Sequence, residues 1–174
     1  MRRFSSDDDL TIIWITWTQP KMMKRDFRLM DRKDELAQLS FSDSSGHSAT
    51  GSYFGKRFSF LTEDPSMNFF KVSSIDSGSS VATIQTTYSA PDGKALIFLA
   101  EGETYRLRKE SKLRGEWTLV DRKQEEVCRL RERVSITKHE GDFSCSHLAT
   151  GLPDKLLMAL MVWYTIIVLL GKES

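Results

Sequence analysis

The chain has 174 residues, a formal net charge of +1, 28% charged residues and 40% hydrophobic residues. This length suits one domain with a full core, and the hydrophobic content is that of a globular protein, which excludes intrinsic disorder. Because the net charge is close to zero, we expect no nucleic-acid partner. The two cysteines, Cys128 and Cys145, are too few for a disulfide framework and indicate a reducing, intracellular compartment.

Residues 1–9 end in three acidic residues where a secretion signal would carry positive charge, so we read no signal. We interpret them as a flexible N-terminus that precedes a single domain at residues 10–174. Leu10–Trp17 is rich in β-branched and aromatic residues, which predicts the first strand. Arg25–Met30 and the apolar positions of Leu36–Phe41 flank a polar turn, and this pattern predicts a hairpin.

The next stretch, Ser42–Ser52, has the Gly/Ser composition of a solvated loop, and phosphorylation of that loop is the alternative reading. Short strands with turns between them are then predicted along the rest of the chain. They are Tyr53–Leu61, Met67–Ile75, Ser80–Tyr88, Ala95–Ala100, Thr104–Lys109, Trp117–Val120, Val127–Arg131, Val134–Lys138 and Phe143–Leu148. About twelve short strands in all predict a mainly β fold, a sandwich or a closed antiparallel barrel.

A hydrophobic helix is predicted near the C-terminus, at about residues 153–171, after Pro153-Asp154 and up to Gly171. Its run Leu156–Leu170 is apolar on every face, so it must be enclosed by protein or by lipid. The run extends about 22 Å, which is short of the roughly 30 Å core of a bilayer. We therefore expect the helix to fill the lumen of the barrel. The alternative is a tail anchor, with lysines at both ends reaching the lipid headgroups.

Two segments, Phe27–Leu39 and Trp117–Leu130, share the order aromatic, Leu, apolar, Asp-Arg-Lys, polar turn and apolar return. This internal similarity of two hairpin-like segments indicates a barrel with some internal duplication. Asp31 and Asp121 are interpreted as turn residues whose side chains cap the hairpin backbone. A paired carboxylate site is the alternative.

These features resemble the tubby C-terminal-like superfamily, which includes tubby proteins, phospholipid scramblases and plant LURP-one-related proteins. The resemblance rests on the hairpin sequence Trp117–Lys123, the Gly115-Glu116-Trp117 stretch, and Pro-Asp before a final apolar helix, and covers about residues 10–171. It implies a closed barrel of twelve strands threaded by its C-terminal helix. Within the superfamily, tubby proteins bind phosphoinositides, and scramblases are associated with membranes and calcium. The segment Asp31–Glu35 places cations where calcium ligands would alternate, so only the fold is carried over.

Candidate sites are few. No nucleophile–base arrangement, phosphate-binding loop or metalloprotease motif occurs. His139, Cys145 and His147 lie within nine residues and could in principle bind zinc, but structural zinc usually takes four ligands, so we interpret them as ordinary surface or strand residues and keep zinc as the alternative. A run of cations opposed only by Glu110 is the best candidate, since it could hold an anionic lipid headgroup. It comprises Arg106, Arg108, Lys109, Lys112 and Arg114. The alternative interpretation is the solvated face of a strand.

The function that we expect is that of a non-enzymatic, tubby-like module. It would bind membrane phospholipid, such as a phosphoinositide, or a protein partner, and it would act as a monomer. We expect a cytoplasmic protein that associates peripherally with membranes and uses no cofactor or metal. The alternative is a tail-anchored or scramblase-like membrane protein whose C-terminal helix spans the bilayer.

Overall fold

The computed structural model describes residues 15–22, 24–42, 46–66, 68–86, 94–111, 115–133, 138–145 and 155–173. Within these ranges, twelve antiparallel strands close into a barrel, and one helix follows the last strand. The strands are β1 Ile15–Thr18, β2 Asp26–Asp31, β3 Asp34–Phe41, β4 Ser48–Tyr53, β5 Lys56–Leu61, β6 Phe69–Ser74, β7 Ser80–Thr86, β8 Ala95–Leu99, β9 Thr104–Ser111, β10 Glu116–Val120, β11 Glu126–Arg133 and β12 Glu140–Cys145, and the helix α1 spans Lys155–Glu173. The predicted fold class is confirmed.

Each strand pairs with its neighbours in sequence, and β1 pairs with β12 to close the ring. Closure removes the exposed strand edges that would otherwise promote aggregation. One end of the barrel carries the β2–β3, β4–β5, β6–β7, β8–β9 and β10–β11 turns and the start of α1, and we call it the entry end. At the opposite end, Lys172 Nζ donates hydrogen bonds to Asn68 Oδ1 at 3.3 Å and to Thr86 Oγ1 at 3.1 Å. Burial lowers the pKa of this lysine.

The helix lies inside the barrel. Every residue from Leu156 to Leu169 is buried. On one side, the Trp163 ring stacks on Trp17 of β1 with ring centroids 5.9 Å apart. Tyr164, which follows it, packs against Phe60 of β5 and Phe70 of β6 at 4.6 and 5.3 Å. The strands that contact α1 therefore surround it, as the expectation of a helix-filled lumen requires.

By length and composition alone, the segment Lys155–Lys172 could cross a membrane, but 78% of it is buried inside the structure. The core helix of a soluble protein can have the same length and composition. Burial of such a segment within a β-wall satisfies the requirement that its apolar surface be enclosed.

Two glycines let the helix approach the wall closely. A Cβ on Gly51 of β4 would lie 3.1 Å from Leu160, and one on Gly141 of β12 would lie 3.0 Å from the Trp163 ring. Both distances are shorter than ordinary van der Waals contact, so a larger residue at either position would displace the helix or the wall.

Two sequence predictions are wrong in this region. Ser42–Ser52 was expected to be a loop, but β4 occupies Ser48–Tyr53. Two of its inward positions, Ala49 and Gly51, are small, so they carry none of the bulky alternation that marks a strand. At Gly51 the Leu160 side chain of the helix occupies the space beside the backbone. The single strand expected over Tyr53–Leu61 is interrupted by a turn at Phe54-Gly55.

Other predicted boundaries change less. The strand predicted at Val127–Arg131 is longer, and of the strand predicted at Val134–Lys138 only Lys138 is described, outside any strand. Several predictions fall in part outside the described residues. These are the N-terminal residues 1–14, the ends of the strands predicted to reach Tyr88 and Leu148, and the helix start at Pro153-Asp154.

The two similar segments form the hairpins β2–β3 and β10–β11, as predicted. In the second hairpin, Asp121 Oδ1 accepts hydrogen bonds from the backbone N–H groups of Lys123 at 2.9 Å and Glu125 at 3.0 Å. The capping role predicted for Asp121 is confirmed. In the first hairpin, Asp31 and Asp34 are opposite each other in the strand register where β2 turns into β3, and Arg32 in the turn has φ 57°.

Candidate lipid-binding surface

The basic residues predicted as a lipid site begin on β9, where alternate side chains face opposite sides of the wall. Tyr105 and Leu107 are buried and point inward, so Arg106 and Arg108 point outward. Lys109 has the inward parity and lies over the Trp117 ring, with its Nζ 5.1 Å from the ring centroid. The described members of the cluster therefore divide between the two sides of the sheet.

Their partners differ as well. Arg108 Nη2 lies 3.1 Å from Glu110 Oε1, which neutralises much of its field, whereas Arg106 forms no ion pair with any of the described residues. Lys112 and Arg114, which the sequence adds to this cluster, lie outside the described residues. Arg106 is thus the member best placed to meet an external anion.

Around Arg106, the outward residues of neighbouring strands form two adjacent rows. One row runs Phe69, Gln85, Leu96 and Arg106 across β6 to β9, and the other runs Leu61, Lys71, Thr83, Phe98 and Thr104 across β5 to β9. Within each row, neighbouring strands are about 4.8 Å apart, and the two rows are two residues apart along the strands. They therefore form one continuous surface. We call these nine residues the β5–β9 face. None of them is acidic.

The β5–β9 face also exposes large apolar side chains. Phe69 is 51% exposed, Leu61 46% and Phe98 37%. The other strongly exposed apolar residues of the described chain, Met22, Phe54 and Ile75, lie in turns. Exposed apolar groups on a strand face contribute little to the core, and clusters of them are typical of surfaces that contact another molecule or a membrane.

The outer surface from β10 to β12 has a different chemistry, because its charges are paired. Arg131 Nε lies 3.3 Å from Glu116 Oε1, and Arg133 Nη2 lies 3.3 Å from Asp142 Oδ1. Arg129 donates two hydrogen bonds to the Glu126 carboxylate at 3.1 and 2.7 Å, and this contact raises the pKa of the arginine. We call these six residues the ion-paired face.

A cavity of about 360 Å³ opens at the entry end, between α1 and residues of β4, β5, β7 and β8. Its lining is mostly apolar and includes Tyr53, Phe58, Met158 and Met161, while Lys56, Ser80 and Glu101 supply the polar groups. Such a lining suits a hydrocarbon group rather than a polar substrate. It lies beneath the same side of the barrel as the β5–β9 face.

The zinc alternative weighed from the sequence has no support in the described residues. His139 and Cys145 lie at opposite ends of β12, roughly 20 Å apart at about 3.3 Å per residue. His147 lies outside the described residues, and no group of metal-ligating side chains occurs among the residues that the structure places.

Sequence reasoning located Arg106 but missed Lys71, Phe69 and Phe98, because these residues are distant in sequence and meet only through barrel register. One signal was present. The outward positions of the strands predicted at Met67–Ile75 and Ala95–Ala100 contain no Asp or Glu.

Comparisons with protein-family models, with curated proteins and with solved structures found no match.

Proposed function

We propose that this protein is a non-enzymatic module that docks reversibly on anionic phospholipid membranes through its β5–β9 face. The observation that carries the proposal is the combination on one surface of exposed apolar side chains, cations and no carboxylate. An anionic bilayer offers both complements, since its headgroups attract cations and its interface accepts aromatic and aliphatic groups. The barrel enclosing a C-terminal helix also agrees with what the tubby-like resemblance implies.

The size of the effect can be bounded. A cation near an anionic bilayer contributes about 1 kcal/mol, and a half-exposed Phe or Leu contributes about as much when it enters the interface. Lys71 and Arg106 together with Phe69, Phe98 and Leu61 then give about 5 kcal/mol, which corresponds to a sub-millimolar Kd. This affinity describes reversible, peripheral association.

Enclosure of α1 supports this proposal over a helix that spans the bilayer. To span, the segment Leu156–Leu169 would have to leave the barrel and abandon contacts such as Trp163 with Trp17 and Tyr164 with Phe60. Its release would also empty the lumen. Phosphoinositide and phosphatidylserine both present the phosphate or carboxylate chemistry that this face would recognise, and vesicles of each separate the two.

The test is co-sedimentation of the full chain with vesicles of phosphatidylcholine alone, with added phosphatidylserine, or with added phosphoinositide. We expect binding only where anionic lipid is present. The variant Lys71→Glu/Arg106→Glu replaces two attractions by two repulsions and should bind at least a hundredfold more weakly, at about 1 kcal/mol per charge.

Lys33→Glu/Lys123→Glu is the matched control, because it makes the same change in net charge at exposed turn positions at the entry end. It should retain most of the binding. Failure of the folded wild-type chain to bind any anionic vesicle would overturn the lipid proposal and leave a protein partner as the occupant of this face. Equal losses in both double variants would show that net charge, and not this face, governs binding.

A further inference from the structure

The two cysteines of the chain are adjacent at the entry end of the barrel. Cys128 of β11 and Cys145 of β12 lie directly opposite each other, and their Sγ atoms are 2.8 Å apart with both thiols free. Opposed residues of antiparallel strands have Cα atoms about 4.5–5.5 Å apart, within the range of about 4.4–6.8 Å that a disulfide spans. The backbone therefore already holds the pair in position for a bond between them.

The two thiols differ in access. Cys128 is 1% exposed and belongs to the core, and burial raises the pKa of its thiol. Cys145 is half-buried. Because the thiolate is the reactive form and must reach the oxidant, the more accessible Cys145 is the better placed of the two to react first.

We propose that Cys128 and Cys145 form a reversible intramolecular disulfide by exchange with a small-molecule disulfide such as oxidised glutathione. The Cys145 thiolate attacks one glutathione sulfur, the glutathione disulfide bond breaks, and one glutathione thiolate leaves. Cys128 loses its proton to solvent and attacks Cys145 Sγ, and the second glutathione thiolate leaves. In total the protein gives up two protons and two electrons, and oxidised glutathione becomes two reduced molecules.

The position of the pair determines what the bond would control. Cys145 ends the last strand, and the chain then leads to α1, whose first described residue, Lys155, lies close enough to affect Cys128 electrostatically. The bond would join β11 to β12 at the last described residue of the wall before α1. It would therefore oppose any opening that releases the helix from the barrel.

The experiment treats the folded full chain with oxidised glutathione, blocks remaining thiols with an alkylating agent, and measures intact mass. We expect a species lighter by two hydrogen atoms, no alkylation, and a peptide map that joins Cys128 to Cys145. The disulfide closes a loop of modest length, since the residues are 17 apart. The midpoint temperature of thermal unfolding should be up to about 10 °C higher for the oxidised form. A reductant should return it to its original value.

Two single variants test the order of reaction. Cys128→Ser should accumulate one glutathione on Cys145, whereas Cys145→Ser should leave the buried Cys128 unmodified under the same conditions. The proposal is overturned if the wild-type chain retains two alkylatable thiols, if a stable glutathione adduct accumulates on it, or if only disulfide-linked dimers form.

Discussion

The outer surface of the barrel has two faces that differ in chemistry although both belong to the same closed sheet. On the ion-paired face, Arg131 and Arg133 each have a carboxylate within 3.3 Å. On the β5–β9 face, the cross-strand neighbours of Lys71 are Leu61 and Thr83, and those of Arg106 are Leu96 and Val120. One surface balances its charges internally, and the other leaves its cations and apolar groups facing outward.

Folding does not require this difference. The wall behind both faces meets the same helix: Phe70 of β6 packs on Tyr164, and a Cβ on Gly141 of β12 would lie 3.0 Å from the Trp163 ring. Outward positions do not have to pack on α1, so their composition depends on the surroundings of the barrel. Phe69 and Phe98 are exposed without any gain in core packing, and this is the surface composition that the proposed membrane contact would require.

The largest predicted effect is unfolding of the barrel, which would abolish both faces at once because the barrel depends on a filled lumen. Ile166 is fully buried in the middle of α1, and Ile166→Asp would place a carboxylate there with no counter-ion. We expect a loss of at least about 5 kcal/mol in the free energy of unfolding, which is comparable with the whole stability of a typical domain. Circular dichroism should show loss of the cooperative melting transition.

The matched control is Ile75→Asp, the same substitution at a residue that is 41% exposed in the β6–β7 turn. It should melt like the wild-type chain, because surface substitutions usually stay within about 0.5 kcal/mol. An unchanged melting curve for Ile166→Asp would mean that α1 is not essential to the barrel, and the comparison of two faces on one closed wall would fail with it.

A smaller effect probes how closely the helix approaches the β12 side of the wall. Gly141→Ala adds a methyl group 3.0 Å from the Trp163 ring and 3.3 Å from the Arg131 backbone oxygen. We expect a destabilisation of about 1–3 kcal/mol, measured by urea unfolding, because overpacking forces such neighbours apart. Gly171→Ala is the control, since nothing lies within 4 Å of its added Cβ. Equal stability of the two variants would contradict the close packing.

The sequence predicted the parts of the fold that depend on large apolar residues. Period-two patterns around residues such as Phe27 and Tyr105 located most strands, and the all-round apolar run of α1 indicated a lumen to fill. The sequence failed to predict β4, where the inward residue Gly51 has no side chain because Leu160 occupies the space beside it. That reason is tertiary, so no local pattern displays it.

The candidate surface was less predictable than the fold. Arg106 and Arg108 are close in sequence and were found together with the opposing Glu110, but only the structure shows that Glu110 offsets the charge on Arg108. Phe69 and Arg106 occupy one row of the sheet because β6 to β9 pair in a particular register. Register is set by turns and by packing on the helix, and it places residues together that no motif links.

The apolar part of the β5–β9 face is tested by Phe69→Ser. The side chain is half-exposed, so its loss should leave stability within about 0.5 kcal/mol of wild type and weaken vesicle binding by about 1 kcal/mol, or roughly fivefold. Phe54→Ser removes an aromatic group of similar exposure, 57%, from the β4–β5 turn and serves as the control. Vesicle titration should separate the two variants, and an equal loss in both would show that exposed aromatic groups bind wherever they lie.

The smallest predicted effect is the difference in the free energy of unfolding when one cation is removed from each face. Arg131→Gln removes the ion pair with Glu116, and we expect a loss of about 0.2–1 kcal/mol that disappears in 1 M salt as the charges are screened. Lys71→Gln removes a cation whose cross-strand neighbours carry no charge, so the free energy of unfolding should not change measurably. Urea unfolding of both variants at low and high salt gives the difference. Equal, salt-sensitive losses at the two positions would show that Lys71 is paired as Arg131 is, and that the β5–β9 face does not present an uncompensated cation to an anionic membrane.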